Sequence, residues 1–273
     1  MARAAGILPG MAQSLNVNGA RMAYQRAGSG PALLLVHAGI ADRRMWDPIW
    51  DAVTARFDVI RPDLRGFGDT PAPDGSYANW RDLASLVREL GVARVHAVGV
   101  SMGASAVLDL ALAEPGVVDR LVLVAPGLAG WDWSDEIGRF WDEESQALER
   151  GDLDEAAWVN VRQWIDVRRE AESVDPTVRQ LVFEMQRRAF ELSNPQADET
   201  GLQPPALGRL EEVRAPTLLV VGDADQPDVL AVARHAAARI PDARLEAIAG
   251  VAHLPPLEAP DRFLELVLPF LES

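Results

Sequence analysis

Two residue types with strong chemistry are missing from this chain. Its 273 residues contain no cysteine, so thiol nucleophiles, thiolate metal ligands and disulfides are all excluded. They contain no lysine either, so all 26 basic residues are arginine and lysine-based Schiff-base or nucleophilic chemistry is excluded as well. Only four histidines are present. Any acid–base catalysis by histidine must therefore be carried by one of very few candidates.

Long apolar runs and positive charge are also scarce. No stretch approaches the roughly 18 apolar residues of a membrane span, and residues 1–10 lack the apolar core of a signal peptide. We interpret them as a short disordered tail, with Met11 as an alternative start. The net charge of −15 argues against nucleic acid or an anionic membrane as partner. The expectation is therefore a soluble cytoplasmic protein.

What the chain does contain is an alternation of buried strands and helices. Apolar runs at 32–37, 57–61, 94–99 and 121–125 are bounded by turn residues, and helical segments separate them. One of these helices is predicted to begin at Asp42 and to run to Arg56. An Asn18-Gly19 turn predicts a β-hairpin before the first run. Such alternation indicates βαβ units on a parallel sheet.

The alternation stops once and then resumes. From Leu128 to Leu207 the sequence predicts no strand and three amphipathic helices, of which the second and third begin at Asp152 and Asp175-Pro176. Strand and helix alternate again from Pro216. We therefore predict an α/β core formed by residues 1–127 and 208–273, with a helical cap inserted at 128–207.

One pentapeptide carries a specific chemical signal. Gly99-Val100-Ser101-Met102-Gly103 follows a buried strand and opens a helix of small residues, which is the G-x-S-x-G nucleophile elbow. The sharp turn leaves no room for side chains at the flanking positions, which glycine satisfies. It presents Ser101 at a helix N-terminus, where N–H groups stabilise negative charge. Ser101 is the predicted nucleophile.

A serine needs a base, and position selects among the four histidines. His96 lies inside the elbow strand, His235 lies in a helix among alanines, and His37 ends a strand beside Gly39, where we expect a structural role. His253 lies in the loop after the last strand. Active sites of parallel sheets lie at the carboxyl ends of strands. His253 is therefore the predicted base.

The acid that orients the base should follow the preceding strand. Two carboxylates are available there, Asp223 and Asp225. Asp223 adjoins the glycine that ends the strand, so we expect it to bond turn backbone. The strand after the elbow ends at Ala125-Pro126-Gly127, where no carboxylate is available. We predict Asp225, which gives the order serine, acid, histidine.

A tetrahedral oxyanion needs two backbone donors. One is predicted at Met102, directly after the nucleophile, and the other in the loop after the first buried strand. Within that loop Gly39 is the first choice and Ile40 the second. Ile40 and four cap tryptophans are the candidate substrate-binding residues, although for any single tryptophan in such helices core packing is the more common role: Trp131, Trp133, Trp141 and Trp164.

Two further groups of charged residues are ambiguous. The loop Asp63 to Asp69 is rich in glycine and charge but lacks a phosphate-loop motif, so we expect Asp63 and Arg65 to bond backbone and each other. Five cap arginines could contact a substrate carboxylate or form solvated faces: Arg162, Arg168, Arg169, Arg187 and Arg188. No metal or cofactor is expected.

Together these residues resemble the α/β-hydrolase superfamily. The resemblance runs from Leu15 to the C-terminus and rests on four ordered elements: Val36-His37-Ala38-Gly39, Asp63-Leu64-Arg65-Gly66-Phe67-Gly68, the elbow, and the pair Asp225 and His253. It implies a mostly parallel eight-stranded sheet flanked by helices, with the cap inserted after the sixth strand. Ala38 departs from the glycine usual in the family, and we expect its methyl group to narrow the oxyanion loop.

The resemblance also narrows the expected activity. Cap and elbow are similar to those of 3-oxoadipate enol-lactonases and small carboxylesterases. Haloalkane dehalogenases and epoxide hydrolases carry aspartate at position 101, so those activities are disfavoured. We expect a serine hydrolase, monomer or homodimer, that cleaves a small ester or lactone. Alternatives are carbon–carbon bond hydrolysis or cofactor-free perhydrolysis by the same triad, a non-catalytic small-molecule receptor on this fold, and an interaction protein.

Overall fold

The computed structural model describes residues 12–167 and 169–273. Its centre is an eight-stranded sheet in the order β1-β2-β4-β3-β6-β7-β9-β10. The pairings β1–β2 and β2–β4 are antiparallel and all the others are parallel. The strands, with the two that form a separate small sheet, are β1 Gln13–Val17, β2 Ala20–Gly28, β3 Ala32–Val36, β4 Asp58–Pro62, β5 Gly75–Tyr77, β6 Val95–Val100, β7 Val118–Val124, β8 Ala197–Glu199, β9 Thr217–Gly222 and β10 Ala243–Ile248. The predicted eight-stranded, mostly parallel sheet is thus confirmed.

Helices cover both faces of this sheet. Neighbouring residues of the central strands point to opposite faces: Leu34 belongs to one apolar cluster with α2 and α3, and Leu35 to another with α9. Both faces are therefore buried, which is why the strands read as continuous apolar runs. The helices are α1 Trp50–Thr54, α2 Asn79–Glu89, α3 Met102–Ala113, α4 Asp135–Glu149, α5 Leu153–Val161, α6 Pro176–Leu192, α7 Pro227–Arg239, α8 Pro255–Glu258 and α9 Pro260–Glu272.

The insertion after β7 holds α4, α5 and α6. Asp152 caps α5 through the N–H of Glu155 at 3.0 Å, and Asp175 caps α6 with proline at the first helical position, as predicted. A π-helical turn, Arg162–Asp166, continues α5. It ends at Val167, whose φ of 50° is strained for a β-branched residue. The cap boundaries at 128 and 207 stay a prediction.

Two predictions about secondary structure are wrong. The region 128–207 does contain a strand, β8, which pairs in parallel with β5 of a core loop. These strands are three residues long and mostly polar, so they lack the alternating pattern that reveals a strand. Likewise Asp42 caps a 3₁₀ helix, Arg43–Ile49, before the short α1. Pro48 has no N–H for an α-helical bond, so a continuous α-helix from Asp42 to Arg56 does not form.

Three expectations concern parts of the chain outside the described residues. These are the predicted tail at residues 1–10, the alternative start Met11 and the side chain of Arg168. Within the described ranges, no helix combines the length and apolar character needed to cross a membrane.

Candidate active site

Ser101 occupies the turn between β6 and α3. Its φ is 55° and its ψ −113°, a conformation that costs energy for any residue with a Cβ. The backbone is held there because the N–H of Ser101 donates to Val124 O at 2.9 Å and its carbonyl accepts from Ser105 N at 3.0 Å. The serine is half-buried at the carboxyl edge of the sheet. This is the strained elbow geometry that the pentapeptide predicts.

The flanking glycines are required by close backbone approach. A Cβ on Gly99 would overlap the carbonyl oxygen of Gly103, and a Cβ on Gly103 would overlap the carbonyls of Val36 and His37. The elbow helix is therefore pressed directly against the end of β3. This contact brings the loop after β3 next to Ser101.

His253 and Asp225 form a buried hydrogen-bonded pair at the same edge of the sheet. His253 Nδ1 lies 2.9 Å from Asp225 Oδ2, and the two residues are 2% and 5% exposed. The other carboxylate oxygen accepts from Gln226 N at 2.7 Å. With Nδ1 facing the carboxylate, Nε2 is the ring nitrogen available as a base. Asp223 instead accepts from Gly250 N at 2.7 Å, a turn contact as expected.

The loop after β3 lies beside the elbow and contains backbone donors without an acceptor among the described residues. The N–H groups of Ala38, Ala41 and Asp42 are used within the protein, two of them on the sulfurs of Met45 and Met185 at 3.4 Å. Among the described residues, the N–H groups of Gly39 and Ile40 have no acceptor. A Cβ built on Gly39 would lie 3.6 Å from Met102 Cβ. Met102 begins α3, so its own N–H also lacks an intrahelical acceptor.

The remaining histidines lie away from this pair. His37 is fully buried; its Nε2 accepts from Leu64 N at 2.9 Å, and its Nδ1 lies 2.8 Å from Ala38 O. Burial lowers the pKa of His37, so the ring is neutral and structural, as expected. His96, which lies in the elbow strand β6, packs edge-on against Phe57. His235 is half-buried against Trp131, with ring centroids 5.4 Å apart.

The cap tryptophans occupy different environments. Trp164, on the π-helical turn, packs on the His253 ring with centroids 4.5 Å apart, and Phe140 packs on Trp164 at 5.5 Å. Trp133 and Trp141 contact each other at 6.4 Å, and Trp141 is 45% exposed. Trp131 packs on His235 of α7. Of these four, Trp164 is the one that the described contacts join to the candidate catalytic pair.

Most of the charged candidates are paired with other side chains. Arg162, Arg187 and Arg188 pair with glutamates or an aspartate of the cap. The prediction that Asp63 and Arg65 bond each other is wrong. Asp63 pairs with Arg43 and accepts from Asp69 N. Arg65 makes a bidentate pair with Asp82 at 2.6 and 2.9 Å. Because the two ion pairs join residues 20 and 17 positions apart, local spacing does not reveal them.

The sequence did not predict the contacts between the cap and the core at the site. Gln226, next to the acid, donates its side chain to Gln163 O at 2.8 Å. The N–H of His253 donates to Trp164 O at 3.3 Å. The cap therefore touches the loops of both Asp225 and His253. The side-chain contact of Gln226 has no sequence signal, because nothing in the pattern around it distinguishes it from a surface glutamine.

Fold and site together define an α/β-type hydrolase architecture. A model of the alpha/beta hydrolase family matches residues 33–266, and the chain belongs to that family. A proposed carbamate hydrolase from Caulobacter sp. (strain K31) is 30% identical over 277 residues, covering 92% of this chain and 96% of that protein. An uncharacterized protein of Mycobacterium tuberculosis is 43% identical over 128 residues, and the match covers only 36% of that longer protein.

Solved structures show the same fold. A hydrolase from Pseudomonas aeruginosa PA01 superposes with a TM-score of 0.78 at 27% identity, covering 97% of this chain and 99% of that one. The enol-lactonase from Burkholderia xenovorans LB400 gives a TM-score of 0.80 at 22% identity, covering 96% and 100%. The predicted superfamily and fold are confirmed.

Proposed function

We propose that the protein is a serine hydrolase that cleaves a small carboxylic ester or lactone. The observation that carries this proposal is the buried pair of His253 and Asp225, joined at 2.9 Å, at the sheet edge where Ser101 stands on a strained turn. A neutral hydroxyl is a weak nucleophile, and an oriented imidazole is the group that activates it. The proposed carbamate hydrolase relative, whose substrate class is also an acyl compound, supports acyl chemistry.

In the proposed reaction Ser101 Oγ attacks the acyl carbon while His253 Nε2 takes its proton. The resulting oxyanion accepts hydrogen bonds from the N–H groups of Met102 and Gly39. His253 then passes the proton to the leaving alcohol, and an acyl-enzyme forms. Asp225 holds the tautomer with the proton on Nδ1 and stabilises the imidazolium. Water, activated by His253, releases the acid and restores Ser101.

The unused N–H groups after β3 support the choice of oxyanion donors. Gly39 lies against Met102, and its N–H and that of Ile40 have no acceptor within the described residues. Two free donors beside a free helix N-terminus are what a developing negative charge requires. Gly39 stays the first choice because its contact with Met102 places it beside the other donor.

The test combines labelling and turnover. The purified chain is exposed to a fluorophosphonate probe and assayed with p-nitrophenyl acetate, small lactones and an aryl carbamate. Ser101→Ala should abolish labelling and lower turnover by on the order of 10³-fold or more, with an unchanged circular dichroism spectrum. Ser85→Ala is the matched control. The Ser85 hydroxyl lies on α2, away from the site, and donates to Asn18, so its loss should change neither the labelling nor the turnover.

The outcomes separate the alternatives. Labelling at Ser101 without turnover of any ester, lactone or carbamate would contradict the proposed substrate class and favour carbon–carbon bond hydrolysis or perhydrolysis. A wild-type chain that is neither labelled nor active would contradict the serine-hydrolase proposal in favour of a non-catalytic receptor. An active Ser101→Ala protein would contradict the mechanism.

A further inference from the structure

The loop that carries His253 is organised by a second carboxylate, Glu258. This residue ends α8, and its side chain is 6% exposed. Its Oε2 accepts from Ala252 N at 3.3 Å and its Oε1 from Leu254 N at 3.2 Å. One carboxylate therefore binds the N–H groups on both sides of His253.

The cap completes this arrangement. The N–H of His253 itself donates to Trp164 O of the cap. The three consecutive N–H groups of residues 252–254 therefore all have acceptors, the outer two on Glu258 and the middle one on the cap. Arg169, also in the cap, donates to Glu258 Oε2 at 2.6 Å and to Gly250 O at 2.9 Å. Its guanidinium compensates a buried charge that would otherwise be costly to desolvate.

The position of the imidazole depends on these contacts. A general base must lie within hydrogen-bond reach of its proton donor, and misplacement by about 1 Å can cost on the order of 10²-fold in rate. His253 lies between β10 and α8, so no strand or helix hydrogen bonds fix its backbone. Asp225 orients the ring through Nδ1, but the ring can meet both Asp225 and Ser101 only if the backbone is placed correctly.

We propose that Glu258 is a positioning residue for His253, and that Arg169 couples this positioning to the cap. The proposal rests on the proposed serine-hydrolase function. Glu258 touches neither substrate nor reacting atoms; it acts through the backbone of residues 252 and 254. Arg169 makes the same carboxylate a contact point between cap and core, so a displaced cap would also displace the base.

The test is Glu258→Gln. The amide keeps one acceptor oxygen, but its NH₂ group must face a backbone N–H or Arg169, so at least one donor loses its acceptor. We expect kcat and the rate of fluorophosphonate labelling of Ser101 to fall about 10- to 100-fold with little change in KM. Glu265→Gln, the same change at an exposed position of α9, is the matched control and should leave both rates unchanged.

A spectroscopic readout separates positioning from general structural support. In the wild-type protein the proton between His253 Nδ1 and Asp225 should give a downfield proton NMR resonance, which should shift or vanish in Glu258→Gln while the thermal midpoint of the fold still exceeds the assay temperature. Arg169→Gln, which leaves the carboxylate in place, should give an intermediate loss of kcat. If Glu258→Gln does not fold, Glu258→Asp replaces it, since the shorter side chain cannot reach both N–H groups.

Wild-type rates and an unchanged downfield resonance in the folded Glu258 variant would overturn the proposal. A loss that appears only in KM, with kcat and labelling intact, would overturn it as well. Failure of the proposed function is seen separately: a wild-type chain without labelling or turnover contradicts the hydrolase assignment, while the resonance still reports whether Glu258 sets the His253–Asp225 geometry.

Discussion

His37 shows how one residue type takes two roles in this chain. His253 meets a carboxylate at the sheet edge, whereas His37 is fully buried and accepts a backbone N–H from Leu64. Protonation of His37 would remove that acceptor and place a charge in the core, which is why burial lowers its pKa from the ordinary 6.5. The imidazole that is the proposed base at position 253 accepts a structural hydrogen bond at position 37.

This lowered pKa makes stability depend on pH. Below pH 6.5 the unfolded chain binds a proton at His37 that the folded chain excludes, so the free energy of unfolding should fall as pH falls, by up to about 1.4 kcal/mol per pH unit. Urea denaturation between pH 7.5 and about pH 5.5 measures this dependence. His37→Gln, which cannot titrate, should flatten it.

His96 provides the comparison for that experiment. Burial lowers its pKa too, but the residue is only half-buried, so His96→Gln should flatten the pH dependence less than His37→Gln. Equal slopes in wild type and His37→Gln would contradict the prediction.

At the scale of elements, the junction of β3, β6 and α3 determines where the candidate nucleophile stands. Glycine at 103 lets the helix approach the carbonyls of Val36 and His37. The sequence pattern predicted β6, the strained turn and α3 because these three are consecutive in the chain, but it did not predict the close approach of Gly103 to β3. It did not predict β5 and β8, because these short polar strands pair with each other from about 120 positions apart.

The junction predicts a contrast between two helical glycines. In Gly103→Ala the new Cβ overlaps backbone that cannot move without separating α3 from β3. We therefore expect the free energy of unfolding to fall by about 1–3 kcal/mol. In Gly138→Ala on α4 the Cβ meets nothing within 4 Å, so a gain of about 0.5–1 kcal/mol is expected from helix propensity. Urea midpoints of the two variants check this; similar shifts for both would refute the overlap argument.

At the scale of the whole molecule, the inserted helices contact the loops that carry Asp42, Gln226 and His253. Met185 of α6 accepts from Asp42 at the end of the candidate oxyanion loop, Gln163 O accepts from the acid's neighbour Gln226, and Trp164 covers His253. The loops after β3, β9 and β10 therefore each have a contact with the inserted helices. Changes in the cap should be expressed in catalysis.

Trp164 tests that expectation. Because its ring packs on His253 at 4.5 Å, Trp164→Ala should lower kcat/KM for ester substrates by on the order of 10-fold. Trp158→Ala is the control: Trp158 stacks on Phe183 at 4.6 Å inside the cap, so its loss should reduce stability and leave kcat/KM near the wild-type value. Equal kinetic effects of the two substitutions would mean that general loosening of the cap, and not contact with His253, is responsible.

Local sequence was sufficient for the candidate nucleophile, for the strands of the eight-stranded sheet and for the capping residues Asp152 and Asp175. Each of these depends on backbone conformation and on apolar periodicity over a few residues. The absence of cysteine and lysine is a property of composition alone, and it excludes thiol and amine nucleophiles whatever fold the chain adopts.

Other features depended on how distant segments pack. Trp164 rather than the other cap tryptophans packs on His253, and Arg169 meets Glu258 from 89 residues away. In each case the local sequence offers several chemically equivalent side chains. Which of them makes the contact depends on the direction in which a loop leaves the sheet and on where the cap packs against the core. A sequence pattern within one segment carries no information about either.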